Sequence, residues 1–179
     1  MKYYLIMTEG NTEKTFLEIL SDRNLLKYKK DELLYHKIFQ LRQIDNATIH
    51  KIYALPKDSS LVIIRVGDTL SDELKIPNEI KYIFKGKTID VCTKPEFEIL
   101  MIINDGLYED YLKVKSITKP SRYYTKKNKK YDKSSEYTKK YFNNLTDKEI
   151  IDLVKEEHKL RNKANRKSAF TLKYLIIDF

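Results

Sequence analysis

The chain has 179 residues, of which 41% are hydrophobic and 34% are charged, so its composition fits one globular domain and excludes a disordered chain. Lysine and arginine number 35 against 26 aspartates and glutamates, and this formal net charge of +9 favours a polyanionic partner such as nucleic acid. The single cysteine, Cys92, excludes an intrachain disulfide and a cysteine-based zinc site.

The sequence contains no signal for a membrane or for export. No apolar run approaches the roughly 20 residues that a helix needs to span a bilayer. At the N-terminus, Glu9 and Glu13 interrupt the apolar stretch, which is not the pattern of a secretory signal. We therefore expect a cytoplasmic protein without a membrane partner.

The first segment predicts a buried strand that ends in an acid and turns into a helix. Residues 3–7 form an uninterrupted apolar run. Gly10 permits a sharp turn, and Asn11 is expected to cap a helix that starts at Thr12. Glu9 then lies at the carboxyl end of a strand, where open α/β sheets bind ligands and where a carboxylate suits a magnesium-type ion. The alternative is that Glu9 only favours the helix N-terminus electrostatically.

A second strand–acid segment lies in the middle of the chain. Residues 60–66 contain the β-branched run that is typical of a buried central strand. Gly67 and Asp68 follow directly, so this segment repeats the arrangement of the first one. Asp72 and Glu73 add two carboxylates just downstream.

Periodicity predicts the elements between and after these segments. Residues 33–41 favour a half-buried strand, although a helix fits nearly as well. Helices are expected after Asp45 and after Pro77. A third strand is expected over residues 88–92, followed by a helix whose first turn contains Glu98. This glutamate is flanked by apolar residues, so it is either shielded against the core or turned toward a site.

The C-terminal third interleaves cations with aromatic residues. Cations can hold phosphates while rings stack on bases, so this composition favours contact with a nucleic-acid strand, and the alternative is a solvated loop. Thr146 is expected to cap a last helix, and a final strand is expected between Phe170 and Ile177. Cations at the end of that helix would also be favourable to its dipole. The tyrosines concerned are Tyr123, Tyr124, Tyr131, Tyr137 and Tyr141, and the cations expected to bind nucleic acid are Lys119, Arg122, Lys126, Lys127, Lys129, Lys130, Arg161 and Arg166.

Three acids occupy comparable places in this scheme. Glu9, Asp68 and Glu98 would meet at one edge of a parallel, doubly wound sheet. Carboxylates gathered without histidine or cysteine favour Mg²⁺ or Mn²⁺, and such an ion can polarise a phosphodiester.

At these residues the chain resembles a known family. Three stretches are similar to a Toprim domain: the run from Glu9 to Glu13 (sequence EGNTE), the strand ending at Asp68, and the run from Pro95 to Glu98 (sequence PEFE). More narrowly, they resemble the small RloB-type Toprim proteins of bacterial anti-phage defence. The resemblance covers about residues 3–104. It implies a Toprim-like (Rossmann-like), open, mostly parallel sheet flanked by helices, with a basic C-terminal insertion and helix.

The resemblance also implies an activity. It suggests a Mg²⁺-dependent nuclease that acts on RNA, for example tRNA, or on DNA. Glu9 and Asp68 would be catalytic and would bind the metal, Glu98 would be a supporting ligand, and Glu13 a helper. Toprim domains usually carry a second aspartate where this chain has Leu70.

This departure leaves two interpretations open. Either the site keeps a metal, with Asp72 or Glu73 as the second ligand or with a single ion bound weakly, or the chain is a catalytically degenerate module that binds nucleic acid or a partner protein. We expect one domain over residues 1–179, with a core over 1–114, an insertion over 115–145, and a helix and strand over 146–179. A defence role leaves room for a regulatory partner protein and for a homo-oligomer, and the sequence specifies neither.

Overall fold

Four parallel strands form one open sheet. Its strand order is β2-β1-β3-β4, and every neighbouring pair is parallel. The expected α/β fold with an open parallel sheet flanked by helices is confirmed, and it is consistent with a Rossmann-like fold. The computed structural model describes residues 1–70, 72–84, 86, 88–163 and 170–177. The strands are β1 Lys2–Thr8, β2 Leu33–Gln40, β3 Ser60–Gly67 and β4 Ile89–Cys92.

Seven α-helices are present in the described part of the chain, and most of them follow the last strand. None of these helices is both long enough and apolar enough to cross a membrane. They are α1 Asn11–Asp22, α2 Asn46–Tyr53, α3 Ile99–Asn104, α4 Tyr108–Leu112, α5 Pro120–Lys127, α6 Ser135–Asn143 and α7 Asp147–Lys163. Short 3-10 helices span Lys30–Glu32, Asn78–Ile80 and Leu172–Tyr174.

The sheet separates two hydrophobic cores. Alternate residues of a strand point to opposite faces, so Ile6 and Ile64 enter one core while Leu5 and Ile63 enter the other. The first core is the larger and contains side chains of α1, α3, α5, α6 and α7. The second contains Ile52 of α2. Both faces of the central strands are therefore covered, which explains their continuous apolar sequences.

The strand order creates a switch point between β1 and β3. The chain leaves β1 toward β2 on one side and later returns to place β3 on the other side. The connections at the carboxyl ends of β1 and β3 therefore run apart, which opens a crevice where ligands bind in such folds. Glu9 and Asp68 are the residues that directly follow these two strands.

Local signals placed several elements correctly. Residues 33–40 form strand β2, which decides between the two alternatives for this segment. The Asp45 carboxylate accepts a hydrogen bond from the Thr48 backbone N–H at 2.8 Å and so caps α2. Before α7, the Thr146 backbone N–H donates to the Glu149 carboxylate at 2.7 Å, and the Glu149 N–H donates to the Thr146 hydroxyl at 3.3 Å. This is a capping box.

Other boundaries differ from the prediction. The N-cap of α1 is Gly10, so the expectation that Asn11 caps it is wrong, and Asn11 is the first helical residue. The helix expected after Pro77 is only the 3-10 turn Asn78–Ile80. That turn is enough to bury Ile80, and the chain then pairs Phe84 with Leu61 through an isolated bridge.

The expected final strand is also wrong. The segment contains the 3-10 helix Leu172–Tyr174, with one isolated bridge from Phe170 to Val91 and another from Ile176 to Leu26. Leu172 and Leu175 are buried in the larger core. The apolar residues of this segment are therefore buried in a turn that lies between Val91 and Leu26, and they do not form a strand.

The tyrosine-rich segment is folded into the larger core. The side chains of Tyr123, Tyr124 and Tyr131 are exposed to only 6%, 0% and 4%. The rings of Tyr124 and Tyr131 meet edge to face with centroids 5.0 Å apart, and the Tyr124 hydroxyl donates to Asp105 at 2.7 Å. The expectation that these three rings stack on bases is wrong because they pack inside the protein. The alternative of a solvated loop is wrong for the same reason.

Candidate functional site

A cavity of about 210 Å³ lies at the switch point, beyond the carboxyl ends of β1 and β3. We term it the acidic cavity because five carboxylates line it, together with two cations. The structure places Glu9, Asp68 and Glu98 around this one cavity although they are far apart in the sequence. The charged lining residues are Glu9, Glu13, Asp68, Glu96, Glu98, Arg42 and Lys133.

Glu9 is held against the end of β3. Its Oε2 accepts a hydrogen bond from the Thr69 backbone N–H at 2.9 Å. The Thr69 hydroxyl lies 3.1 Å from the same oxygen and 2.9 Å from Asp68 Oδ1, so it can donate to either carboxylate. A Cβ at Gly67 would stand 2.2 Å from Glu9 Oε2, so glycine is needed there for the carboxylate to lie this close to the strand end. Thr69 and Gly67 thus fix Glu9 beside Asp68.

Glu13 projects from the first turn of α1 into the same cavity and is only 8% exposed. Its pKa is raised from 4.5 to about 7, mainly by burial and also by the negative charges of Glu98, Asp68 and Glu9, whereas a backbone hydrogen bond acts to lower it. A Cβ at Gly10 would lie 2.3 Å from Glu13 Oε2, so this glycine too makes room for a carboxylate. The cavity therefore contains a carboxyl that titrates near neutral pH.

Glu98 is both shielded by the core and turned toward the cavity. It is 6% exposed, and its Oε1 accepts a hydrogen bond of 2.6 Å from the Tyr131 hydroxyl. Lys133 Nζ lies 3.6 Å from the same oxygen. Burial and this hydrogen bond raise the pKa of Tyr131 far above its usual range, so the phenol remains a donor. Tyr131 of the tyrosine-rich segment thus orients Glu98, one of the predicted metal ligands.

Sequence reasoning missed the two cations of the cavity and Glu96. Arg42 follows β2, and a firm assignment of that strand would have placed it at the same edge of the sheet as Glu9. Lys133 has a positive φ of 61°, and no local signal marks it among the surrounding lysines. Glu96 Oε2 accepts from the Ser121 backbone N–H at 2.8 Å, which joins the cavity wall to the first turn of α5.

The donor chemistry of the cavity suits a hard divalent cation, since its acidic groups offer only oxygen ligands. The repulsion that raises the pKa of Glu13 is also what such a cation would relieve. Within the described ranges, however, no three acidic, histidine or cysteine side chains converge closely enough to hold a metal ion as they stand. The lining residues are therefore of the type that binds a divalent cation, but their side chains do not converge on one point.

Asp72 and Glu73 do not line the acidic cavity. Both side chains are exposed, and the Glu73 backbone carbonyl accepts a hydrogen bond from Gln43 Nε2 at 3.1 Å. Their proximity to Asp68 in the sequence therefore does not bring them to the site where Glu9 and Asp68 meet.

A basic surface lies on and after α5. Arg161 is not part of it: this side chain is buried and donates hydrogen bonds to the backbone carbonyls of Cys92 and Lys94. Arg166 lies outside the described residues. The expected nucleic-acid-binding residues that are exposed, which we term the basic surface, are Lys119, Arg122, Lys126, Lys127, Lys129 and Lys130.

Comparisons of the chain with protein-family models, with curated proteins and with solved structures find no match. The class that the fold and the site define is an α/β protein with a four-stranded parallel sheet and a carboxylate-lined cavity at its switch point. The resemblance to Toprim domains rests on the motifs alone.

Proposed function

We propose that this chain is a Toprim-type, Mg²⁺-dependent nuclease that cleaves RNA, with tRNA as one candidate, or DNA in bacterial anti-phage defence. The observation that carries the proposal is the meeting of Glu9, Glu13, Asp68 and Glu98 at one cavity beyond the ends of two parallel strands. Such a crevice is where open α/β sheets bind their ligands. The net charge of +9 supports a polyanionic substrate.

Each acid would have a distinct role. Glu9 and Asp68 would hold Mg²⁺ or Mn²⁺, because Thr69 and Gly67 keep them side by side at the strand ends. Glu98 would be a supporting ligand. The cation would supply the Lewis acidity that polarises a phosphodiester. Glu13, whose pKa is raised to about 7, would hold or release a proton near neutral pH, as a general acid or base must.

The basic surface would hold the polymer close to these acids. Lys119 and Arg122 flank Ser121, whose backbone N–H donates to Glu96 of the acidic cavity. Lys133 lines the cavity and lies beside Glu98, and Arg42, which follows β2, lines it as well. These cations would bind the phosphates of the polymer next to the carboxylates. They would also offset the negative charge that develops on the reacting phosphate in the transition state.

The test of this proposal is a cleavage assay on labelled tRNA, single-stranded DNA and duplex DNA in Mg²⁺, Mn²⁺ or EDTA. We expect at least one of these substrates to be cut when either metal is present and none to be cut in EDTA. That result would also name the substrate class. Absence of cleavage, with binding intact in EDTA, would contradict the nuclease.

A second candidate is a degenerate Toprim module that binds nucleic acid or a partner protein without cleaving. It is favoured by the presence of Leu70 in place of the usual second aspartate and by the described acids, which do not converge as a metal cluster. Lys133 also lies beside Glu98, where a bound cation would be expected. Binding by such a module would persist in Asp68→Ala and in EDTA, which separates it from the nuclease.

The basic surface predicts a steep dependence of binding on salt. Replacing Lys126, Lys127, Lys129 and Lys130 by glutamine should reduce the slope of log K against log salt concentration by about 3, because each phosphate contact contributes roughly 0.7 to 0.9. Filter binding over a series of salt concentrations measures this slope.

A matched control neutralises lysines at the amino ends of the strands, on the side of the sheet away from the acidic cavity. Lys2 begins β1 and Lys57 precedes β3, so both lie at the amino ends of strands whose carboxyl ends form the acidic cavity. Replacing these two by glutamine should leave the slope unchanged. Equal slopes for the wild type and the Lys126–Lys130 variant would show that the basic surface does not contact phosphate.

A further inference from the structure

A second cleft, of about 310 Å³, lies between α3, α4 and the C-terminal half of α7. Among the residues that the structure describes, none lines both this cleft and the acidic cavity. We term it the Glu157 cleft. Its walls are apolar and aromatic, which is the usual character of a small-molecule site, and they include Ile99, Ile103, Tyr108, Tyr111, Leu112 and Leu160.

A buried carboxylate in this cleft lacks part of its hydrogen bonding. Glu157 is 5% exposed, and its Oε1 lies 3.6 Å from Arg161 Nε. Its Oε2 is buried and has no hydrogen-bond partner among the residues that the structure describes. Arg161 cannot serve both oxygens well, since its terminal nitrogens donate to the carbonyls of Cys92 and Lys94. Buried acceptors are normally satisfied, so Oε2 marks the place of a missing donor.

The charges around Glu157 define the kind of donor. Glu157 and Arg161 form a buried pair of opposite charges, so a neutral N–H group is a better match for Oε2 than a second cation. Lys94 and Lys115 also line the cleft, and their side chains are exposed. The cleft therefore suits a molecule with a flat apolar body, one N–H donor and an anionic end.

We propose that the Glu157 cleft binds the base of a nucleotide through an exocyclic amino group that donates to Glu157 Oε2. The base lies between the apolar wall and the tyrosine rings, and its phosphate is held by Lys94 and Lys115. Adenine and cytosine carry such an amino group, and uracil does not; carboxylates accept hydrogen bonds from the cytosine amino group in protein–DNA complexes. A free nucleotide and a base unstacked from a strand share this chemistry.

The test measures binding of AMP, CMP and UMP to the full chain by isothermal titration calorimetry in EDTA. We expect AMP or CMP to bind at least about tenfold more tightly than UMP, because uracil has a carbonyl oxygen where cytosine has its amino group, and this oxygen would face Glu157 Oε2 without a hydrogen bond. A short oligoadenylate is measured beside AMP. Tighter binding of the oligomer assigns the cleft to a strand, and equal binding assigns it to a free nucleotide.

Glu157→Gln should remove most of the preference for amino-bearing bases, since the amide offers a donor as well as an acceptor. Glu156→Gln is the matched control, because Glu156 pairs with Lys159 and does not line the cleft. It should bind as the wild type does. Ile103→Trp fills the cleft from a half-buried wall position and should abolish binding of all three nucleotides.

Three results would overturn the proposal: no binding of any nucleotide to the wild type, equal binding of UMP, or an unchanged preference in folded Glu157→Gln. The comparison of AMP with UMP on the wild type stands even if a variant fails to fold. The proposal is also separable from the nuclease, because Asp68→Ala should still bind AMP.

Discussion

Asp68→Ala is expected to lower metal-dependent cleavage at least about a hundredfold, the loss that follows removal of a group that stabilises transition-state charge. The fold should be retained, because Asp68 lies after the end of β3 and its side chain is not part of either hydrophobic core. The carboxylate accepts a hydrogen bond only from the neighbouring Thr69 among the described contacts. Initial rates at saturating Mg²⁺, together with thermal unfolding of both proteins, check the prediction.

Asp72→Ala is the matched control for this prediction. Asp72 is a nearby aspartate whose side chain is exposed and outside the acidic cavity, so its removal should leave the rate within a factor of about two. If Asp68→Ala kept full activity while Asp72→Ala lost it, the assignment of the acidic cavity as the metal site would be abandoned. The metal site would then lie in the loop that follows β3.

Gly67→Ala examines the same site without removing a carboxylate. The added Cβ would come within 2.2 Å of Glu9 Oε2, so the glutamate side chain must shift from its present position beside the end of β3. Displacing a catalytic group by about 1 Å can cost a hundredfold in rate. Gly86→Ala adds a methyl group that meets no atom of the described residues within 4 Å and should be neutral. A loss confined to Gly67→Ala would show that the position of Glu9, and not only its charge, matters.

The parts of the site that sequence reasoning reached are those set by local structure. An apolar run that ends at Glu9 or Asp68 predicts a strand with an acid at its carboxyl end, and parallel strands bring those ends together. The caps formed by Asp45 and Thr146 are equally local, because each side chain bonds to a backbone group three residues away. The atoms of each cap are close in the sequence, whereas Glu9 and Asp68 are brought together by the parallel pairing of β1 with β3.

The parts that were missed depend on contacts between distant residues. Tyr131 donates to Glu98 from 33 positions away, and composition cannot distinguish a tyrosine that stacks on a base from one that supports a carboxylate. Arg161 belongs to a run of basic residues, yet its charge is used by carbonyls of the Cys92–Lys94 segment. Asp72 shows the converse, since closeness to Asp68 in the sequence did not place it in the cavity.

Glu13→Gln is expected to remove a pH dependence of stability that the wild type shows between about pH 5 and about pH 8. The pKa of Glu13 is about 7 in the folded protein and 4.5 without the fold. The folded state therefore keeps a proton that the unfolded state has lost, so stability from this group is present below pH 4.5 and is lost as the pH rises through 7. At about 1.4 kcal/mol per pH unit, the loss is about 3 kcal/mol.

Urea unfolding at several pH values measures this difference. Glu18→Gln on the same helix is the control, because Glu18 is partly exposed and pairs with Lys14 at 2.9 Å, and it should keep the wild-type slope. His158, whose burial lowers its pKa, contributes with the opposite sign in every variant and cancels in the comparison. An unchanged slope in Glu13→Gln would mean that Glu13 is not the titrating group.

The same titration links stability to the proposed cation. The carboxylates of Glu98, Asp68 and Glu9 contribute to the raised pKa of Glu13, and a divalent cation among them would oppose that effect. Adding Mg²⁺ at about pH 8 should therefore return part of the lost stability to the wild type, by the mass action of a ligand that binds only the folded state. A gain of equal size in Asp68→Ala would place the cation elsewhere, whereas a gain confined to the wild type would connect the repulsion at Glu13 with cation binding in the acidic cavity.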